Sequence, residues 1–422
     1  MSLIIHNLSR IVHTEEKPVL RYNGAEMSAL QIKTGTAIFI KDGLINQLFE
    51  DSEQSINTIR QQHPGVILLD ARGGSAFPAW VDAHTHIVYD GNRDGEFVDR
   101  IKGLSYEEIF SRGGGILNSA AKLRQANEES LFEQAMHRLK EIITLGTGAV
   151  EIKSGYGLSV ESELKMLRVI QKLKANSPLT IKATFLGAHA FPAEFKNDKA
   201  GYLKVLITDL IPEIGRQKLA EYCDIFVEQN YFTYDDACRL FEAAVKAGLR
   251  PKVHAEQLSH SGGIKAGVKY NAVSVDHLEF ASAEDIQLLA GSDTVPVLLP
   301  GAQLFLGLQN PPARKMIEAG LPVALSSDFN PGSCPSGNMN QMVSLACILY
   351  KMTPEEAIIA ATTNSAAAIE LSHSHGSICE GKAANIFITE KIPSAAFLPY
   401  SFGSNLIEKV ILNGVLVHSR NS

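Results

Sequence analysis

The run Val81-Asp82-Ala83-His84-Thr85-His86 places two imidazoles two residues apart. In an extended strand such residues project to the same side, so His84 and His86 can converge on one divalent metal. A bare His-x-His also arises by chance, and a lone histidine is more often a hydrogen-bonded core or surface residue, so the pair needs company to carry chemistry. Company is present. Lys153 with Tyr156, His189, His254, His277 and Asp328 follow five further apolar runs, and five of the thirteen histidines fall in such places. If those runs are strands of one parallel barrel, their C-terminal ends focus the polar groups on a single pocket.

The elements needed to position them are legible as an alternation. From Ala76 to Asp328, short apolar or β-branched runs alternate with longer amphipathic stretches, the pattern of successive βα units. Eight strands are predicted: Ala76 to Val81, Gly148 to Ile152, Thr180 to Leu186, Asp224 to Glu228, Pro251 to His254, Ala272 to Val275, Thr294 to Leu298 and Pro322 to Ser326. Helices are predicted between them, as at Glu128 to Leu145, where Leu131, Ala135, Leu139 and Ile142 recur at spacings of three and four, and at Val160 to Ala175.

The flanks read differently. Leu3 to Ile11, Ala37 to Leu48, Val66 to Leu69, Ala384 to Thr389 and Lys409 to His418 look like short strands, with tight hairpins at Lys41-Asp42-Gly43 and Leu412-Asn413-Gly414. The expected fold class is α/β: a TIM-like (β/α)8 barrel with a small composite β-sandwich domain drawn from both terminal segments. Residues 1–70 and 371–422 would form the composite domain and 71–370 the barrel.

Composition narrows the function. The 422 residues carry a net charge of −7 with no long basic run, which gives no electrostatic footprint for nucleic acid and favours a small-molecule partner. The five cysteines are scattered, odd in number and without Cys-x-x-Cys, arguing against a disulfide scaffold or a zinc knuckle and for a reducing compartment. No segment supplies the ~20 uninterrupted apolar residues of a membrane span, and the first residues lack a basic region leading into an apolar core. A cytoplasmic protein without membrane contact is expected.

His84, His86, His254 and Asp328 resemble the ligand pattern of the metal-dependent amidohydrolase superfamily. Three neutral imidazoles and a carboxylate suit zinc or ferrous iron better than calcium or magnesium. The finer resemblance is to the imidazolonepropionase family. It rests on Asp82-Ala83-His84-Thr85-His86, Gly113-Gly114-Gly115-Ile116, Glu151-Ile152-Lys153-Ser154-Gly155-Tyr156-Gly157, Phe185-Leu186-Gly187-Ala188-His189-Ala190, Val275-Asp276-His277-Leu278 and Ser327-Asp328-Phe329-Asn330-Pro331-Gly332-Ser333.

That resemblance implies metal-dependent hydrolytic ring opening of 4-imidazolone-5-propanoate to N-formimidoyl-L-glutamate in histidine degradation, with one divalent metal per chain, zinc or iron, and a homodimer. It implies that Arg93 holds the propionate, that Tyr156, His189 and Gln257 line the ring, and that Asn330, Gly332 and Ser333 form a turn presenting donors to the substrate. His277 would orient or deprotonate the attacking water and polarise the carbonyl, a role suited to an imidazole of ordinary pKa ~6.5. Asp328 would shuttle the proton to the leaving nitrogen. Two departures stand out: Gln257 replaces a residue that can be Glu, and Asn385 replaces the Asp of the superfamily's C-terminal Gly-x-x-Ala-Asp stretch. The bridging lysine of binuclear relatives would come from strand four, where this chain has Glu228, so a single metal is expected. The rivals are another cyclic amidohydrolase or aminohydrolase, such as a hydantoinase, dihydroorotase or guanine deaminase, and a catalytically silent scaffold, which has no chemical need for a clustered ligand set.

Overall fold

The computed structural model describes residues 2–104, 108 and 114–420. Gly113 of the glycine run therefore lies outside the described residues. Eight parallel strands follow one another in chain order around a barrel: Trp80–Thr85, Thr147–Lys153, Thr180–Ala188, Tyr222–Val227, Val253–Ala255, Ser274–His277, Val295–Leu298 and Ala324–Leu325. The circle closes between the first and eighth strands. Asp328 N donates to His84 O at 3.0 Å and His86 N to Phe329 O at 2.9 Å. The Asp82 carboxylate accepts from Ser327 N at 2.9 Å and Ser327 Oγ at 2.5 Å.

The outer helices form where the sequence pattern places them. Glu128–Thr144 starts at Asn127, whose side chain accepts from Ser130 N, and buries Leu131, Ala135, Leu139 and Ile142 against the barrel. Val160–Asn176 starts at Ser159, which accepts from Ser162 N, and buries Met166, Leu167, Ile170 and Leu173. These side-chain caps satisfy amides that the first turn leaves without partners.

The first barrel strand differs from the expected Ala76 to Val81. Ser75–Pro78 belongs to another sheet, where Phe77 lies opposite Phe387 of the antiparallel strand Ile386–Thr389. Ala79 N still bonds Asn385 O at 2.9 Å, whereas Trp80 N turns to Gly146 O at 2.9 Å, beside barrel strand two. One apolar run thus changes partners midway, and nothing in its composition marks the exchange. As a result His84 lies within the strand and His86 just beyond its end.

Leu3 to Ile11 divides in the same manner. Ser2–His6 enters a four-stranded sheet and Arg10–Val12 a six-stranded one. Leu3, Ile5, Ile38 and Ile40 from the first sheet and Ile11, Ala76, Ile386 and Ile411 from the second share one apolar core, which makes the pair a β-sandwich. Both predicted hairpins form: Asp42 and Gly43 (φ 51° and 83°) and Asn413 and Gly414 (φ 51° and 75°) take the left-handed conformations of two-residue turns.

Candidate metal centre and substrate pocket

Barrel interiors are ordinarily filled by branched apolar side chains. Here strands two, four and six contribute Glu151, Lys153, Asp224 and Asp276, joined by Lys252 just before strand five, all fully buried. Asp276 Oδ2 lies 2.6 Å from His84 Nδ1, and Asp224 Oδ2 lies 3.1 Å from His254 Nδ1. Asp276 is hydrogen-bonded to its imidazole, whereas Asp224 lies close to His254 Nδ1 without hydrogen-bond geometry. Among the described residues, His84 Nε2 and both ring nitrogens of His254 are left buried with no hydrogen-bond partner.

Those orphaned nitrogens identify the centre. His84, His86 and His254 bring one ligand atom each to within 4.8 Å of one another. Asp328 Oδ1 stands 3.6 Å from His84 Nε2 and 3.5 Å from His86 Nε2. Burial, reinforced by Lys153 beside His84 and by His189 beside His86, holds both imidazoles well below their ordinary pKa. They are therefore neutral, the form that ligates a metal. Buried nitrogens without partners, carboxylates behind two of the rings and the Asp328 carboxylate close by together fit a divalent ion.

Above the histidines opens a pocket of about 150 Å³, which suits a small molecule rather than a polymer. His86, His254 and Asp328 line its floor; Arg93, Tyr156, His189, Gln257 and His277 line its walls, together with Asn330, Gly332 and Ser333. His84 lies beneath, fully buried. Tyr156 and His189 face His86 with ring centroids 5.8 and 5.2 Å away. Burial lowers His189 to about 3, so this imidazole is neutral at pH 7.

His277 moves the other way. Burial disfavours its charge, but the neighbouring Glu279, Asp328 and Asp276 outweigh burial and raise its pKa. Asp328 is raised by burial, against the opposing pull of His277 and His254. Both residues take the left-handed backbone region, with φ of 86° at His277 and 56° at Asp328, an uncommon conformation that concentrates at functional sites.

The loops around the pocket are held by buried carboxylates. Glu163, on the helix after strand two, accepts from Gly155 N, Gly157 N and Leu158 N at 3.1, 2.7 and 2.9 Å, fixing the turn that carries Tyr156. Glu256 accepts from Gly262 N and Ile264 N, and Glu228 from Leu258 N and Ser259 N, which secures the segment bearing Gln257. In the turn after strand eight, Asn330 Oδ1 accepts from Gly332 N and Ser333 N at 2.7 and 2.8 Å. Those two amides are thus engaged within the turn, and Ser333 Oγ donates to Asp328 Oδ2 at 3.1 Å. Arg93 donates through Nε and Nη2 to Glu96 Oε2 at 2.9 and 2.5 Å.

Three groups that sequence reasoning did not single out complete the surroundings: Arg100 in the pocket wall, and Asp224 and Asp276 behind the histidines. The two aspartates carry a signal that was available. A carboxylate inside Tyr-Cys-Asp-Ile-Phe-Val or at the end of Ala-Val-Ser-Val-Asp interrupts a run otherwise apolar enough to be buried.

Comparison with known proteins agrees with this geometry. Residues 75–417 match the amidohydrolase family. An imidazolonepropionase of Flavobacterium johnsoniae is 52% identical over 417 residues, covering 99% of this chain and 100% of that protein. The chain belongs to the imidazolonepropionase family of amidohydrolases. A more distant imidazolonepropionase, from Geobacillus kaustophilus, is 40% identical over 392 residues, covering 93% of this chain and 92% of its own. Among solved structures, E. coli guanine deaminase has the same fold, with a TM-score of 0.76 at 14% identity and full coverage of both chains. Triazine hydrolase matches with a TM-score of 0.70 at 13% identity, over 100% of this chain and 95% of that one. At such identities only the barrel architecture is shared evidence. For this imidazolonepropionase-family chain, no helix among the described residues is long and apolar enough to cross a membrane.

Proposed function

We propose that this chain opens the ring of 4-imidazolone-5-propanoate by hydrolysis, giving N-formimidoyl-L-glutamate. The observation that carries this reading is the meeting, in one pocket, of a buried three-histidine cluster with Asp328 and a guanidinium at Arg93. His84, His86, His254 and Asp328 would hold one divalent ion, zinc or iron, their imidazoles and carboxylate being the donors such ions prefer. When bound, such an ion polarises a carbonyl and makes water a nucleophile at neutral pH.

The chain's own groups supply the rest. Arg93, with Nε and Nη2 given to Glu96, keeps Nη1 for the substrate carboxylate, a charge-assisted contact that neutral cyclic amides cannot make. Tyr156 and His189 flank the ring, and Gln257 offers a neutral amide to its nitrogen edge. His277, whose charged form its acidic neighbours favour, donates to the carbonyl oxygen. Asp328, raised toward proton acceptance by burial, takes a proton from the attacking water and returns it to the ring nitrogen as the C–N bond breaks. The water oxygen ends in the new carboxyl group, one of its protons ends on the departing nitrogen, and the other is released to solvent as the carboxyl ionises.

The same family resemblance supports a cytoplasmic homodimer and a division into residues 1–70 with 371–422 and residues 71–370. Sedimentation and limited proteolysis test those two readings. The decisive experiment follows loss of imidazolone absorbance with purified protein, before and after a chelator, alongside hydantoin, dihydroorotate and guanine. Chelator-sensitive turnover of the imidazolone alone is expected; undiminished turnover after metal removal, or preference for a neutral ring, refutes the reading.

A further inference from the structure

One ammonium touches the supports of two ligand histidines. Lys153 Nζ lies 2.7 Å from Asp224 Oδ2 and 3.4 Å from Asp276 Oδ2. Those are the same two oxygens that face His254 Nδ1 and His84 Nδ1. Its third partner is Glu151 Oε1, on its own strand, at 2.7 Å. The remaining oxygen of each aspartate is spent on local structure: Asp224 Oδ1 accepts from Ile225 N and His254 N, and Asp276 Oδ1 from Ser274 Oγ. Neither carboxylate can rotate without breaking those bonds.

Lys153, Asp224 and Asp276 come from strands two, four and six, whereas His84 and His254 come from strands one and five. Alternate strands of such a barrel contribute successive layers of inward side chains. The lysine therefore belongs to a charged layer that braces the histidines. Burial alone would disfavour its charge, but Asp224, Glu151 and Asp276 more than offset burial and keep it protonated.

We propose that Lys153 is a positioning residue for the metal centre, pinning the two carboxylate oxygens that orient His84 and His254 and thereby setting how tightly the pair grips an ion. The inference rests on the reading of those histidines as ligands. It predicts more than a structural role, because Lys252 supplies a matched comparison. Lys252 is equally buried and pairs with Glu151, but its other contacts are the carbonyls of Ala83 and Ala368 and the ring of Tyr222, and it pairs with neither aspartate.

The test is zinc binding to metal-stripped protein, read by competition with a chromophoric chelator, with melting of the stripped proteins and the cobalt(II) visible spectrum as companions. Lys153→Met should weaken zinc binding about 10- to 100-fold, the usual effect of removing a group that orients metal ligands, and should alter the cobalt spectrum. Lys252→Met should lower the melting temperature comparably while leaving zinc affinity nearly unchanged. Removing a buried cation risks misfolding, so Lys153→Met combined with Glu151→Gln takes one charge of each sign from the cluster and keeps Asp224 and Asp276. The same weakening is expected there. Equal losses in the two lysine variants, or parent-like zinc affinity in the folded double variant, overturns the proposal; a parent protein that takes up no zinc, cobalt or iron overturns the ligand assignment itself.

Discussion

Gly332→Ala changes no charge, yet it should disable substrate selection. A Cβ at Gly332 would stand 2.1 Å from Arg93 Nη1 and 2.8 Å from its Cζ, where ordinary contact begins at 3.4 Å. The Gly332 backbone does not lie in the left-handed region, so alanine fits its conformation and the whole effect falls on the guanidinium. Nη1 must retreat by about 1.3 Å. Because Nε and Nη2 are fixed on Glu96, whose other oxygen accepts from Gly115 N at 3.1 Å, the retreat either breaks that pair or withdraws Nη1 from the pocket. A charge-assisted hydrogen bond contributes about 1.5–3 kcal/mol, so kcat/KM for imidazolone propionate should fall roughly ten- to a hundredfold. The assay compares this substrate with an imidazolone lacking the carboxylate, which should lose little, while the melting temperature stays near that of the parent. Equal losses for both compounds would point to general damage, and parent-like turnover would remove Arg93 as the anchor.

Asp328→Asn should keep the fold and lower kcat by about 10²–10⁴, since the amide retains the shape but neither ligates as an anion nor accepts a proton; circular dichroism together with turnover checks this, and near-parent kcat excludes the role. Stability should fall on acidification for a reason remote from the pocket. Burial, modulated by Glu15 and Lys382, lowers His13 to about 4 in the folded chain, against 6.5 when unfolded. Between those values the unfolded chain binds more protons, so this stabilisation is complete above about pH 6.5 and is lost as pH falls to about 4, amounting to roughly 3 kcal/mol. Urea unfolding at pH 7 and 4.5 should show a smaller acid loss for His13→Gln than for the parent, and parallel losses would refute the assignment.

The sequence was most readable where one physical rule governs a residue. Helix periodicity located Glu128–Thr144 and Val160–Asn176 because each has a capped start and a single buried face. The hairpins at Asp42-Gly43 and Asn413-Gly414 were legible because their backbone demands positive φ. Periodicity could not locate the start of barrel strand one, since Ser75–Pro78 and Trp80–Thr85 are both extended and fully buried and differ only in which chain segment they pair with. Spacing brought His84 and His86 together on local geometry, whereas the joining of His254 and Asp328 to them depended on resemblance and then on tertiary structure. Asp224, Asp276 and Lys153 show the remaining difficulty. A buried charge is intelligible only through its partners, and Lys153 and Asp224 are 71 residues apart.

The barrel's closing edge gives the metal centre a mechanical meaning. Strand eight is only two residues long, and the wall beside it is completed by a few hydrogen bonds between residues 82–86 and 327–329. His84 and His86 stand on one side of that edge and Asp328 on the other, so an ion held by all three would act as a rivet across this edge of the cylinder. The Asp82–Ser327 contact it would reinforce joins residues 245 apart, and a tie across so long a loop restricts many open conformations for little added strain. Occupancy would then be linked to wall integrity, with each increment of free ion adding protection against opening. Emptying the centre should loosen amide hydrogens along this edge before the barrel as a whole unfolds, making hydrogen exchange there a gauge of metal loading.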